Sequence, residues 1–115
     1  MKAVVTARAR RDLFILLAIS RTQFGLDAQR RYRLLLEQAI ADIAADPHRA
    51  GVAWREEVSS EVWFYHSRHS RSRTPPGQRV GRPRHVLIFR VRQDQVEILR
   101  VLHDAMDFPS HTAGL

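Results

Sequence analysis

Arginine is the residue type best supplied for chemistry in this chain. Between Glu61 and Asp94 run thirty-two residues without an acid, and they hold Arg68, Arg71, Arg73, Arg79, Arg82, Arg84, Arg90 and Arg92. Lys2 is the one lysine. A guanidinium grips phosphate or carboxylate through two parallel N–H donors, so arginine in place of lysine favours bidentate contacts. The whole chain carries nineteen bases, twelve acids and a net charge of +7. Without the acid-free stretch the remainder is close to neutral, so the positive charge is local. Such a segment reads as a footprint for an anionic partner, either nucleic acid or an acidic protein segment. The plainer alternative is a solvated loop. Arg68, Arg71, Arg73, Arg79 and Arg82 form the candidate anion-binding loop.

Other chemistry is sparse. His66-x-x-His69 has the look of a metal pair, but no third ligand follows at a suitable spacing and the next carboxylate is Asp94. There is no cysteine, which removes disulfides and thiolate metal sites and fits a reducing, cytoplasmic compartment. Glycine-rich phosphate loops are missing, and scattered Ser, His and Asp residues give no basis for a triad. Neither a metal nor a cofactor is expected.

The elements that must position these residues follow from periodicity. At 115 residues and 44% hydrophobic content, the chain is expected to be one domain over 1–115 with a packed core. The longest apolar run, Leu13 to Ile19, is far too short to span a membrane, and no Ala-x-Ala-like cleavage site follows it, so neither a membrane span nor a signal peptide is expected. Val4 and Val5 suggest a short strand. Thr6 is a candidate cap for a helix from Ala7 to about Thr22, ended by Gly25. That helix is apolar on two sides: Leu13, Leu16, Leu17 and Phe24 on one, Phe14, Ile15 and Ala18 on the other. A second apolar side is either buried or left for a partner. A second helix, Asp27 to Ala45, shows steps of three and four and stops at Asp46-Pro47. The short link predicts an αα-hairpin.

Beyond Pro47, His48 to Ser60 reads as loop. Val62 to Tyr65 is rich in β-formers. Ser67 to Pro83 has almost nothing apolar and is expected to be an exposed, mobile loop. His85 to Arg92 and Gln95 to Leu102 alternate as two strands joined near Gln93-Asp94, with Val96, Ile98, Arg100 and Leu102 on one face and Leu99 and Val101 on the other. Residues 108–115 look like a frayed tail. The expected class is α+β: an N-terminal strand, an αα-hairpin, then a three-stranded antiparallel meander with the helices on one sheet face.

These residues resemble the RelE/ParE superfamily of type II toxins, and the ParE-like branch in particular. The similarity is carried by His85-Val-Leu-Ile-Phe-Arg-Val and by Val96-Glu-Ile-Leu-Arg-Val-Leu-His-Asp-Ala-Met-Asp107. Phe24-Gly25, Tyr32, Leu36, Ile40 and Asp46-Pro47 add to it. The Arg/Ser/Pro-rich insert, Ser67 to Pro83, is longer than the usual connection. It resembles a subgroup with Tyr-x-x-Arg-His-Ser-Arg and Arg-Pro-Arg-His, here Tyr65 to Arg71 and Arg82 to His85.

The resemblance implies a toxin bound in a hetero-oligomer by a cognate antitoxin. ParE-like members inhibit DNA gyrase by binding. RelE-like members cut mRNA on the ribosome. A ribonuclease needs a base for the 2′-OH, an acid for the leaving oxygen and cations for the phosphorane. Arg84, Arg90, Arg100 and His103 are the candidates here. No tyrosine follows His103, and Asp104 and Asp107 place negative charge beside it, which favours the ParE-like reading with no catalytic residues. A non-toxic nucleic-acid-binding module is the third possibility. The expected antitoxin surface is Phe14, Ile15 and Ala18, with Arg90 and Arg100 as a cationic pair unless Glu97 or a loop carboxylate neutralises them.

Overall fold

The computed structural model describes residues 1–55 and 61–115. Strand β1 (Lys2–Val5) leads into helix α1 (Ala7–Phe24) and helix α2 (Leu26–Ala45). Strands β2 (Val52–Trp54) and β3 (Trp63–His66) follow, then a 3₁₀ helix (Ser67–Arg73), strands β4 (His85–Arg92) and β5 (Gln95–His103), and helix α3 (Phe108–Thr112).

Thr6 starts α1. Its hydroxyl oxygen accepts the Ala9 N–H at 3.2 Å while the hydroxyl donates to the Ile98 carbonyl at 2.9 Å, so one side chain caps the helix and fixes it to β5. Gly25 alone joins the two helices. Its φ of 94° is open to glycine at no steric cost, and its N–H closes α1 on the Arg21 carbonyl. The expected αα-hairpin is therefore present with a one-residue link.

The strands form one five-stranded sheet in the order β1-β5-β4-β3-β2, with β1 parallel to β5 and every other pair antiparallel. The expected α+β class holds, but the three-stranded meander does not stand as drawn: β3, β4 and β5 are antiparallel neighbours within a five-stranded sheet. β2 lies where loop was expected. Three residues are too few to show a period, and pairing does the work instead, with Val52 opposite Tyr65 and Trp54 opposite Trp63. The remainder of that expected loop, 56–60, lies outside the described residues. The β4-β5 turn has Gln93 and Asp94 both at positive φ, 53° and 61°, which fits a two-residue type I′ turn without glycine.

A bulge at Leu99 corrects the expected alternation of β5. Phe89 pairs with Ile98 and Ile88 with Arg100, so Leu99 has no opposite residue. Val96, Ile98 and Val101 thus face the helices with Leu87 and Phe89, while Leu99 and Leu102 join the other side.

The second face of the sheet is covered too. Val62, Phe64, Val86, Ile88, Leu99 and Leu102 pack around Phe108 of α3, with Leu115 against them. The expected frayed tail is a folded helix. Phe108 anchors it, its ring centroid 5.4 Å from that of Phe64, and burying such a ring stabilises by roughly 1.5–3 kcal/mol. The helices therefore do not all lie on one face.

The Arg-rich insert is a further correction. It is not a mobile exposed loop over its length: it opens as the 3₁₀ helix, with Ser67, Ser70 and Thr74 buried. Its anchor is Asp42 of α2, only 2% exposed. Asp42 accepts from Ser70 at 2.6 Å, Arg73 Nε at 2.7 Å and Gln38 at 2.8 Å, and pairs with Arg49 at 3.3 Å. Burial pushes its carboxyl pKa up, but these bonds outweigh burial and hold it below the usual range. A polar sequence is ordered here in part because one buried carboxylate takes the Ser70 and Arg73 donors.

Candidate functional site

Helix α1 leaves its second apolar side uncovered. Phe14 is 76% exposed, with Ile15, Ala18 and Ile19 also exposed, and Phe24, expected on the packed side with Leu13, Leu16 and Leu17, is instead 73% exposed at the last residue of α1. Below this side a groove of about 1300 Å³ runs between α1, the start of α2, residues 80–85 and the end of β5. Ile15, Ile19, Phe24 and Met106 supply apolar lining, and Arg31, Arg82, Arg84 and Arg100 supply cations. Ala18, expected beside Phe14 and Ile15, is exposed on the same helix.

The floor of the groove is fixed by charge. Arg100 grips Asp12 of α1 through Nε at 2.8 Å and a terminal nitrogen at 3.1 Å, and donates to the His111 carbonyl of the α3 helix at 2.7 Å. Asp12 also accepts the Val101 amide at 3.0 Å. Arg90 pairs with Glu97, directly opposite on β5, at 2.7 Å. The two arginines thus face separate internal carboxylates and do not act as one free cationic pair.

At the C-terminal end of β5 the groove meets a cluster of polar side chains. The Tyr32 hydroxyl accepts the Arg84 N–H at 2.9 Å and shares a hydrogen bond with His85 Nδ1 at 2.6 Å. Burial first, and then the neighbouring His103, lower the His85 pKa to about 4, so the ring is neutral at pH 7. Burial raises the Tyr32 pKa. The His85 and His103 rings meet edge to face at 5.4 Å. His103 Nδ1 accepts the Ala105 N–H at 3.0 Å. Asp104 joins His66 at 3.0 Å and Arg84 at 3.1 Å. Burial works against the Asp104 charge, but the His66 bond and Arg84 outweigh it and lower its pKa.

Of the nuclease candidates, Arg84 and His103 come together here, while Arg90 and Arg100 sit elsewhere on carboxylates of their own. Tyr32, His85 and Asp104, which the sequence did not single out as a site, complete the cluster with His66, which it offered only as half of a metal pair. The helical steps from Tyr32 to Leu36 and Ala39 put Tyr32 on the sheet-facing side of α2, which was the one available signal. His66 and His69 part company: His69 packs against Tyr65 at 5.6 Å and against Gly51, where any Cβ would come within 2.7 Å of its ring. Among the described residues no group of three His, Asp or Glu side chains could hold a metal ion.

In the insert, Arg71 donates to the Val80 carbonyl at 2.5 Å, Arg73 to Asp42, and Arg79 to the Thr74 and Ser72 carbonyls at 3.1 and 2.8 Å. Arg68 and Arg82 have no such partner among the described residues.

The family model for the ParE toxin of the type II toxin-antitoxin system parDE matches residues 3–108. The chain belongs to this family. It is thus a toxin of the type II toxin-antitoxin class, and membership implies a cognate antitoxin partner. No curated protein matches the sequence. No described helix of this ParE-family toxin is long and apolar enough to cross a membrane.

Proposed function

We propose that this toxin acts by binding alone, inhibiting DNA gyrase in the cytoplasm, and that its cognate antitoxin silences it by laying an apolar, acidic segment over Phe14, Ile15 and Ala18. One observation carries the choice of binding over catalysis. The cations a nuclease would need, Arg84, Arg90 and Arg100, are each tied to a carboxylate: Asp104, Glu97 and Asp12. A guanidinium already paired offers little to a developing phosphorane charge. The exposed apolar side of α1 supports the antitoxin half of the reading, because an uncovered patch of this kind marks an interaction surface.

A second reading is favoured by one contact. The short Tyr32–His85 bond, beside His103, has the form of a proton-transfer pair, and a RelE-like ribonuclease would use one. Purified toxin tested on gyrase supercoiling and cleavage-complex formation, in parallel with ribosome-coupled mRNA cleavage, separates the two. Gyrase inhibition with intact mRNA is the expected result. Cleaved mRNA with active gyrase would replace the first reading by the second.

A further inference from the structure

The insert has a place in the groove that its composition alone does not suggest. Three of its arginines hold the segment to itself and to α2, so residues 80–84 arrive at the groove as an ordered wall. Arg82 stands on that wall, exposed and without a partner among the described residues. Arg31 lines the same groove from α2 and is likewise unpartnered. The other two groove arginines, Arg84 and Arg100, are neutralised by Asp104 and Asp12. Among the described residues Asp12 is the one acid lining the groove, and Arg100 and the Val101 amide occupy it. The uncompensated charge of the groove is thus carried by Arg31 and Arg82, beside the apolar side chains of Ile15, Ile19 and Phe24.

We propose that the insert is a selectivity wall: it admits an antitoxin segment that carries carboxylates facing Arg31 and Arg82 next to bulky apolar residues, and rejects segments without them. This rests on the antitoxin reading above. Charge complementarity selects the occupant. An acidic, apolar peptide satisfies both the free cations and the apolar lining, whereas a phosphate backbone satisfies only the first. Specificity of this kind comes from the penalty on partners that leave a cation unpaired.

The test uses the full-length toxin and the antitoxin encoded beside its gene, with affinity measured by calorimetry. Arg31→Glu and Arg82→Glu should each weaken binding by about 10- to 100-fold. Arg92→Glu, an exposed arginine of β4 outside the groove, should leave it within about threefold. Neutralising the antitoxin's acidic residues should lower wild-type affinity but have much less effect on Arg82→Glu, because coupled groups are not additive. Arg82→Gln, which adds no repulsion, should show a smaller loss in the same direction and stands in if the charge reversal impairs folding. Antitoxin binding to wild type and to all three reversals with equal affinity would overturn the selectivity wall while leaving the antitoxin reading intact. No binding to wild type would overturn the antitoxin reading itself, and the wall with it. Loss of salt-dependent RNA or DNA binding in Arg82→Glu, with antitoxin affinity unchanged, would overturn the proposal in favour of a nucleic-acid surface.

Discussion

The Tyr32 hydroxyl bridges His85 Nδ1 and the Arg84 amide, at 2.6 and 2.9 Å, so a residue of α2 closes the polar end of a sheet strand that begins 53 residues later. Tyr32→Phe removes the bridge and leaves a half-buried imidazole nitrogen and an amide without partners. Stability should fall by about 1–3 kcal/mol in urea unfolding. Gyrase inhibition per folded molecule should be unchanged. A ribonuclease that used this pair would instead lose about 10²- to 10⁴-fold in cleavage rate.

Asp42 offers a separate handle on the insert. Asp42→Asn keeps the shape but removes the charge that Arg49 and Arg73 face. Breaking a buried pair from one side costs about 3–5 kcal/mol when both ions are buried, and Arg73 is half exposed, so the lower end of that range is expected. The readout is limited trypsin digestion: the variant should be cut after Arg71, Arg73 or Arg79 well before wild type. A variant as resistant as wild type would show that Asp42 does not hold the insert.

Acid should destabilise the toxin in two steps. His85 has a folded pKa of about 4 against an ordinary 6.5, so below pH 6.5 the unfolded chain binds a proton that the folded chain refuses. Stability is therefore level above pH 6.5 and falls toward pH 4, by at most about 3 kcal/mol. Asp42 and Asp104 have lowered pKa values. Their contribution is present above the ordinary carboxylate value and is lost as pH drops through the folded ones. Urea midpoints from pH 7.5 to 4.5 isolate the first step. Burial, and then Arg68, also lower the His69 pKa, so His69 adds to the same step and His85→Gln should reduce it without removing it.

Phe14 should matter for binding and not for folding. At 76% exposure it contributes little to the core. Phe14→Ala should leave the melting temperature within about 2 °C and weaken antitoxin binding by about tenfold or more. Unchanged affinity would remove Phe14 from the interface.

Much of this fold can be read from residue patterns. The steps of three and four in α2 and the dense β-formers of β3 and β4 show directly, because a half-buried element repeats its apolar residues at its own period. What escapes is structure made by partners distant in sequence. Val52–Trp54 is a strand because β3 lies beside it, and Phe108 turns a polar tail into a helix because Phe64 awaits it. The insert is ordered through Asp42, a residue that reads as one more polar position on an amphipathic helix. The bulge at Leu99 leaves no mark at all, since Leu99 and Leu102 are apolar on either face. The polar cluster was half legible: His103 ends β5 and Arg84 immediately precedes β4, beside the blocks that the resemblance rests on, whereas Tyr32 reaches them only through the packing of α2 on the sheet.

The parallel pairing of β1 with β5 also orders events in time. Thr6 finds Ile98 at a sequence separation of 92 residues, and Asp12 finds Arg100 at a separation of 88. Both contacts wait for the last strand. While the ribosome is still making the earlier strands, β1 is an unpaired edge, α1 has no floor beneath it and the groove does not yet exist. A nascent copy therefore lacks the finished surface for most of its synthesis. The molecule that an antitoxin must meet comes into being only once β5 has been made.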